Sequence, residues 1–209
     1  MESPPTSASA AAAHPWAAAA LPTLVVDLDG TLTPSDSLWE ALLSAVKRSP
    51  KCIPAILAAL LEGRAAFKVA VVKSPGALPL HLAWRQDVLD YLHEQRSAGR
   101  RIVLATAAHQ LIAEQVASEL GLFDAVLSTH QDVNLKGRHK LAAIVATEGV
   151  NFVYMGDSRA DLPVWEGARA AVLVAVKPAV RAVIKVPVER EFAAPRAGAS
   201  DLAPGFRTP

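Results

Sequence analysis

The sequence predicts an α/β fold: a parallel sheet covered by helices on both faces, with a small helical cap inserted after the first strand. Three observations carry that reading. From Arg101 onward, short apolar runs alternate with single helical segments, as consecutive parallel strands require. Ahead of them stands one apolar, β-branched run, Thr23 to Asp27, and residues 33–83 after it show helical periodicity only. A chain of 209 residues, 52% of them hydrophobic, is also long enough to bury one core and a small inserted subdomain.

Taken in order, Thr23–Asp27 is strand one. Ser35 or Asp36 can cap a helix starting near Ser37, with Leu38, Trp39, Leu42, Leu43 and Val46 as its apolar stripe and Ser49-Pro50 as its break. A second apolar helix runs from about Pro54 to Leu61, and Gly63 loosens the segment through Phe67, Val69 and Val72. After the turn Ser74-Pro75-Gly76, a helix is expected from His81 to Ser97, ended by Gly99. Strands at Ile102–Ala105, Ala125–Ser128, Phe152–Met155 and Ala171–Val176 then alternate with helices at Gln110–Leu120, Gly137–Glu148 and Ala160–Ala168. The division is a disordered leader over 1–21, a core over 22–34 and 84–188, a cap over 35–83, and a flexible tail over 189–209.

Composition excludes some classes of function. A net charge of +1 gives no reason to expect nucleic acid as a partner. Cys52 stands alone, so no intrachain disulfide can form, and a reducing, cytoplasmic setting is expected. The first 21 residues carry no Lys or Arg and lack the basic start of a secretory signal. The longest apolar run, Ile53 to Leu61, contains Pro54 and is too short to span a bilayer, so the chain reads as soluble or at most membrane-peripheral.

The chemistry is concentrated at strand ends, where open parallel sheets bind ligands. Strand one delivers Asp27 and Asp29, two carboxylates spaced i, i+2 before a turn at Gly30-Thr31. Carboxylates crowded in this way call for a cation or a shared proton between them, and they suit a hard, oxygen-liganded ion such as Mg2+. They also offer a nucleophile and a neighbouring acid/base. The next strand delivers Thr106, followed by the small residues Ala107 and Ala108 at a helix opening, an arrangement suited to phosphate. A loop carrying Asn134-Leu135-Lys136-Gly137, with Lys140 one turn on, supplies a lysine that can neutralise the cluster. Gly156-Asp157-Ser158-Arg159-Ala160-Asp161 crosses from strand to helix and brings two more carboxylates toward one cavity.

Those four motifs, in that order, resemble the haloacid dehalogenase-like (HAD) superfamily and its phosphoserine-phosphatase-like branch over residues 22–177. The resemblance implies a Rossmann-like three-layer α/β/α core with an inserted cap, and Mg2+-dependent phosphoryl transfer through an aspartyl-phosphate. Asp27 would be the nucleophile, and Asp29 the acid and base for leaving alcohol and water. Thr106, with Gly30, Thr31 and Ala107 around it, would hold the phosphoryl group. Lys136 would screen charge, with Lys140 as a competitor for that role and as a substrate ligand. Asp27, Asp157, Asp161 and the Asp29 backbone carbonyl would hold Mg2+. An acid two residues after the nucleophile favours a phosphatase over the family's ATPases and dehalogenases, because an alkoxide leaves poorly without a proton.

Leu32–Glu40, Asn134–Lys140 and Gly156–Trp165 further resemble the cytosolic HAD domain that precedes some bacterial UbiA-family membrane prenyltransferases. This likeness implies a small-molecule, sugar or polyprenyl-linked phosphomonoester as substrate and a membrane prenyltransferase as partner or fused domain. The apolar cap from Ile53 to Val72, with Lys51, Arg64, Lys68 and Lys73 interspersed, would then face lipid or a lipid phosphate. The alternative is a non-catalytic accessory domain that keeps the fold. A degenerate domain would be expected to have lost a key carboxylate or the lysine, and here none is missing.

Overall fold

The structure, a computed structural model, describes residues 21–129 and 135–194. The leader up to residue 20, Asn134 and the tail from residue 195 lie outside the described residues. Six parallel strands form one sheet in the order β3-β2-β1-β4-β5-β6. They are β1 (Thr23–Val26), β2 (Ile102–His109), β3 (Ala125–Thr129), β4 (Phe152–Gly156), β5 (Ala170–Val174) and β6 (Val188–Phe192). The helices are α1 (Ser37–Arg48), α2 (Ile53–Glu62), α3 (Arg64–Lys73), α4 (Gln86–Ser97), α5 (Gln110–Leu120), α6 (Arg138–Glu148), α7 (Leu162–Gly167) and the single turn α8 (Pro178–Arg181).

Side-chain alternation along the strands produces two cores. Leu24 and Val26 of β1, with Leu104, Met155 and Val172, pack against Val88 and Leu92 of α4 and Ile112 and Val116 of α5. Val25, on the opposite face, joins Val103, Tyr154 and Leu173 against Ile144 of α6 and Val164 and Trp165 of α7. Strands buried on both faces explain why they read as unbroken apolar runs. This is the three-layer α/β/α arrangement expected. The strand order reverses between β1 and β4, and a crevice opens at such a point at the carboxyl ends of the strands.

Between β1 and β2 the chain forms α1, α2 and α3, the inserted helices. Asp36 caps α1 by accepting hydrogen bonds from the Leu38 and Trp39 amides at 3.0 and 3.1 Å. The buried face of α1 is Ser37, Ala41 and Ala45, flanked by half-buried Leu38 and Leu42. Trp39 and Leu43, expected in the apolar stripe, are exposed instead.

Two boundaries differ from expectation for physical reasons. Residues 80–84 are not helical: Leu80, Leu82 and Trp84 are buried with His81 exposed between them, the period of an extended segment, and α4 begins only at Gln86. Gln115 holds this segment through bonds with both the amide and the carbonyl of Leu80. The tail expected from residue 189 in fact begins as β6, an edge strand whose Glu189, Arg190 and Glu191 are exposed. Charged residues suit an edge and hide it from an apolarity-based reading. Buried Arg100 ties β6 to the start of β1, donating to the Pro22 carbonyl at 2.8 Å and to Glu189 at 3.1 Å.

Phe192 closes the same core, edge-on to Tyr91 with ring centroids 5.6 Å apart. Phe192→Ala is therefore expected to lower the unfolding free energy by about 3 kcal/mol in urea titrations. A loss below about 0.5 kcal/mol, the scale of a surface substitution, would remove β6 from the fold.

Candidate active site

A cavity of about 450 Å3 lies over the crevice between β1 and β4, floored by the strand ends and roofed by α3. Asp27 stands at the end of β1 and is 9% exposed. Its Oδ1 accepts a hydrogen bond from the Leu28 amide at 2.8 Å and lies 3.0 Å from Lys140 Nζ. Asp29 lines the cavity from the following turn, where its Oδ1 accepts from the Ser37 amide at 2.8 Å. That bond couples the acid to the first residue of the inserted helices.

Asp157 and Asp161 arrive from the turn after β4. One carboxylate oxygen from each of Asp27, Asp157 and Asp161 lies within 4.8 Å of the others. Asp161 is firmly anchored: its Oδ1 accepts from Tyr154 Oη at 2.8 Å, and its Oδ2 accepts from the Ser158 amide and hydroxyl at 3.1 and 3.2 Å. The Tyr154 hydroxyl in turn accepts from Lys140 Nζ at 2.9 Å, so one buried ammonium serves Asp27 and Tyr154 and lies 3.8 Å from Asp161. Gly30 provides the space for Asp157. A Cβ at Gly30 would collide with the Asp157 carboxylate, and its φ of +81° is one that side-chain-bearing residues rarely adopt.

Charge in this pocket is unbalanced. Burial pushes the Asp27 carboxyl up to about 6 against the pull of Lys140. Burial, with Asp161 and Asp27 nearby, pushes Asp157 up to about 7. Burial also raises Asp29, opposed by its bond from Ser37. Burial, reinforced by Asp161, holds the Tyr154 hydroxyl well above its usual range, so it remains a donor. Three acidic oxygens within 4.8 Å of one another, with a single ammonium beside two of them, fit a hard divalent cation, and a Cβ-free space at Gly30 admits the Asp157 carboxylate.

The sequence-derived candidates do not all meet here. Asp27, Asp29, Ala107, Lys136, Lys140, Asp157 and Asp161 line the cavity. Thr106 is fully buried, does not line it, and its hydroxyl accepts from the Ala108 amide at 3.0 Å. Because β2 continues to His109, the following helix opens farther along than the Thr106 reading requires. Thr31 is likewise fully buried, and its hydroxyl has no partner among the described residues. The two lysines weighed for the site, Lys136 and Lys140, lie in different surroundings. Lys136 is exposed at the rim, before the turn at Gly137 (φ +56°), whereas Lys140 on the first turn of α6 is buried against Asp27.

Sequence reasoning missed three participants. Tyr154 sits mid-strand in an apolar run and signals nothing by itself. Arg64 and Lys68, expected among residues facing lipid, line the cavity from α3, and Lys68 Nζ donates to the Ala107 carbonyl at 3.0 Å. Their i, i+4 spacing was the available signal, since it places both on one helix face. The exposed large apolar residues of the cap are instead Trp39 and Leu43 of α1 and Ile53, Leu57, Leu60 and Leu61 of α2. Among the described residues, no helix is long and apolar enough to cross a membrane.

Fold and site together define a haloacid dehalogenase-like hydrolase. The chain belongs to that family, whose sequence model matches residues 24–166. It is 44% identical over 151 residues to the uncharacterized protein y4nM of Sinorhizobium fredii (strain NBRC 101917 / NGR234), a match covering 72% of this chain and 29% of the relative. The chain thus spans under a third of the length of that curated relative. Among solved structures it is similar to a protein of unknown function from Bordetella pertussis Tohama I (TM-score 0.57, 15% identity, 79% of this chain and 95% of that one). It is also similar to phosphoserine phosphatase in its apo form (TM-score 0.54, 16% identity, 82% and 95%). A phospho-aspartyl intermediate analogue of phosphoserine phosphatase matches as well (TM-score 0.52, 13% identity, 84% and 95%). At such identities these likenesses establish the fold.

The raised acids make a pH prediction. Asp27 and Asp157 hold protons more tightly in the metal-free folded chain than in the unfolded one, so folding binds protons between about pH 4 and about pH 7 and stability falls as pH rises through that window. Thermal melts in EDTA should show wild type losing stability relative to Asp157→Asn across the window, and saturating Mg2+ should remove the loss. Parallel pH profiles for the two proteins would contradict the charge imbalance.

Proposed function

We propose that the chain is a Mg2+-dependent phosphomonoester hydrolase working through an aspartyl-phosphate at Asp27. The observation that carries this is the buried Lys140–Asp27 contact of 3.0 Å beside two further carboxylates. Asp27, Asp157 and Asp161, with the Asp29 backbone carbonyl, would hold the ion, which supplies charge neutralisation for the phosphoryl oxygens. The core carries these groups, and α1 to α3 act as a cap that closes over them. A cytoplasmic setting agrees with the single, buried Cys52.

The chain's own residues divide the chemistry. The Leu28 amide and Lys140 occupy Asp27 Oδ1, which leaves Oδ2 to attack phosphorus. The new Asp27–phosphorus bond forms as the ester P–O bond breaks. Asp29, whose pKa is raised by burial, acts as the acid and gives a proton to the departing alkoxide. Asp29 then takes a proton from water as that water attacks the acyl phosphate, releasing inorganic phosphate and restoring Asp27. Lys140 pulls the Asp27 pKa down against the effect of burial and would offset charge during transfer. Tyr154, bridging Lys140 and Asp161, is a positioning residue.

Small phosphomonoesters are the substrates proposed first. A lipid-linked phosphate delivered by a membrane prenyltransferase stays within the proposal as the finer reading, because the relative extends far beyond the matched part.

A phosphomonoester panel with and without Mg2+ tests this reading. Asp27→Asn should abolish release and any acid-stable labelling of the chain by 32P-substrate. Lys140→Met should reduce kcat by about 100-fold or more, the scale of losing a charge stabiliser, and Lys136→Met far less. Undiminished turnover in Asp27→Asn would overturn the mechanism, and a larger loss in Lys136→Met would reinstate that lysine.

A further inference from the structure

Helix α2 is apolar on nearly every side, yet the fold covers only one of them. From Ile53 to Leu61 it carries no charged or hydrogen-bonding side chain, and only Ile56 and Ala59 are buried. Ile53, Leu57, Leu60 and Leu61 form a second stripe at i, i+4, i+7 and i+8, exposed along its length, with Leu61 at 91%. Glu62 is the one charged residue of α2, and at about 100° per residue it falls on the side away from that stripe. A helix apolar on all faces is normally enclosed, so the stripe calls for a partner.

The charges around α2 decide which partner. Gly63 alone joins α2 to α3, and the two helices fold back against each other, which puts Lys51 and Lys73 at the same end of the pair. Arg48 is at that end too: the turn at Gly76 packs against its side chain, and Ser44 Oγ donates to the Gly76 carbonyl at 2.8 Å. Lys47 precedes it. All four cations are exposed, and among the described residues none of them has an ion pair. The acid nearest to them along the same surface is Glu40, which shares a shallow cleft with Lys47 and Arg48.

A second copy of the chain answers these charges poorly. Laid side by side, it sets one basic end against the other. Laid head to tail, it sets the basic end against Leu60 and Leu61, with Glu62 turned away. An anionic lipid surface answers both features, receiving apolar side chains below its headgroups and offering phosphates to lysine and arginine. A helix of ten residues, about 15 Å long, lies in such a surface and does not cross it.

We propose that α2 docks on an anionic lipid bilayer, with Ile53, Leu57, Leu60 and Leu61 at the boundary of headgroups and acyl chains. Lys47, Arg48, Lys51 and Lys73 meet the lipid phosphates at one end of the helix. Docking of this face uses none of the chemistry at the strand ends.

Flotation of the whole chain with vesicles tests this, using phosphatidylcholine alone and an equal mixture of phosphatidylcholine and phosphatidylglycerol. The mixed vesicles should bind about tenfold or more tighter than the neutral ones, and added salt should erode the difference. Leu57→Gln combined with Leu61→Gln should weaken binding to the mixed vesicles about tenfold or more. Lys51→Gln combined with Lys73→Gln should do the same while leaving the weak binding to neutral vesicles unchanged. All four side chains are exposed, so both variants should melt at the wild-type temperature, which separates a lost contact from a lost fold. Failure of the wild type to float with mixed vesicles, equal binding to both compositions, or binding indifferent to Leu57 and Leu61 overturns the proposal. Sedimentation without vesicles covers the other occupant: a dimer that the two leucine substitutions dissociate would assign the stripe to a second copy and overturn the lipid reading.

Discussion

One ammonium, buried 3.0 Å from Asp27, faces more negative charge than it can neutralise. Around this constraint the rest of the site is arranged. Lys140 spends its donors on Asp27 and on the Tyr154 hydroxyl, and Tyr154 passes the connection to Asp161. Removing any member would leave a buried polar group without its partner, the costly case for ionic networks. Even complete, the network leaves Asp27 and Asp157 with raised pKa values, the electrostatic signature of a pocket built to receive a cation.

The fold makes such crowding tolerable. The reversal of strand order between β1 and β4 brings two strand ends side by side with helices diverging to opposite faces, so Asp27 and Asp157 meet over a crevice rather than inside a packed layer. Gly30 lets the Asp157 carboxylate approach the turn after β1. Asp29, held by the Ser37 amide, ties the turn after β1 to the helices that roof the cavity. Under the proposed mechanism a shift of α1 would therefore move the proton donor, which would give the insertion a route to influence catalysis beyond exclusion of water.

The sequence was most legible where chemistry and backbone coincide. Asp-x-Asp-Gly and the Gly-Asp turn are tied to strand ends by the sheet itself, so residue type and spacing located them. Edge strand β6 escaped notice because its exposed charges satisfy an edge rather than a core, and residues 80–84 because period two over five residues is easily taken for part of a helix. The choice between Lys136 and Lys140 depended on which way a helix turns after Gly137, a matter of backbone geometry that spacing does not contain. Thr106 is of the expected type at the expected place in the order, and its hydroxyl oxygen accepts from the Ala108 amide. Arg64 and Lys68 were visible as charges, but the carbonyl that Lys68 reaches lies some forty residues away in the chain.

The central claim is that these carboxylates form a cation site held short of balance by a single lysine. Mg2+ titration calorimetry near pH 6.5, repeated in two buffers of different ionisation enthalpy, measures it most directly. The account predicts one Mg2+ per chain with net proton release, because the ion displaces protons from raised acids. Absence of binding by the folded chain, or binding that releases no protons, would contradict it.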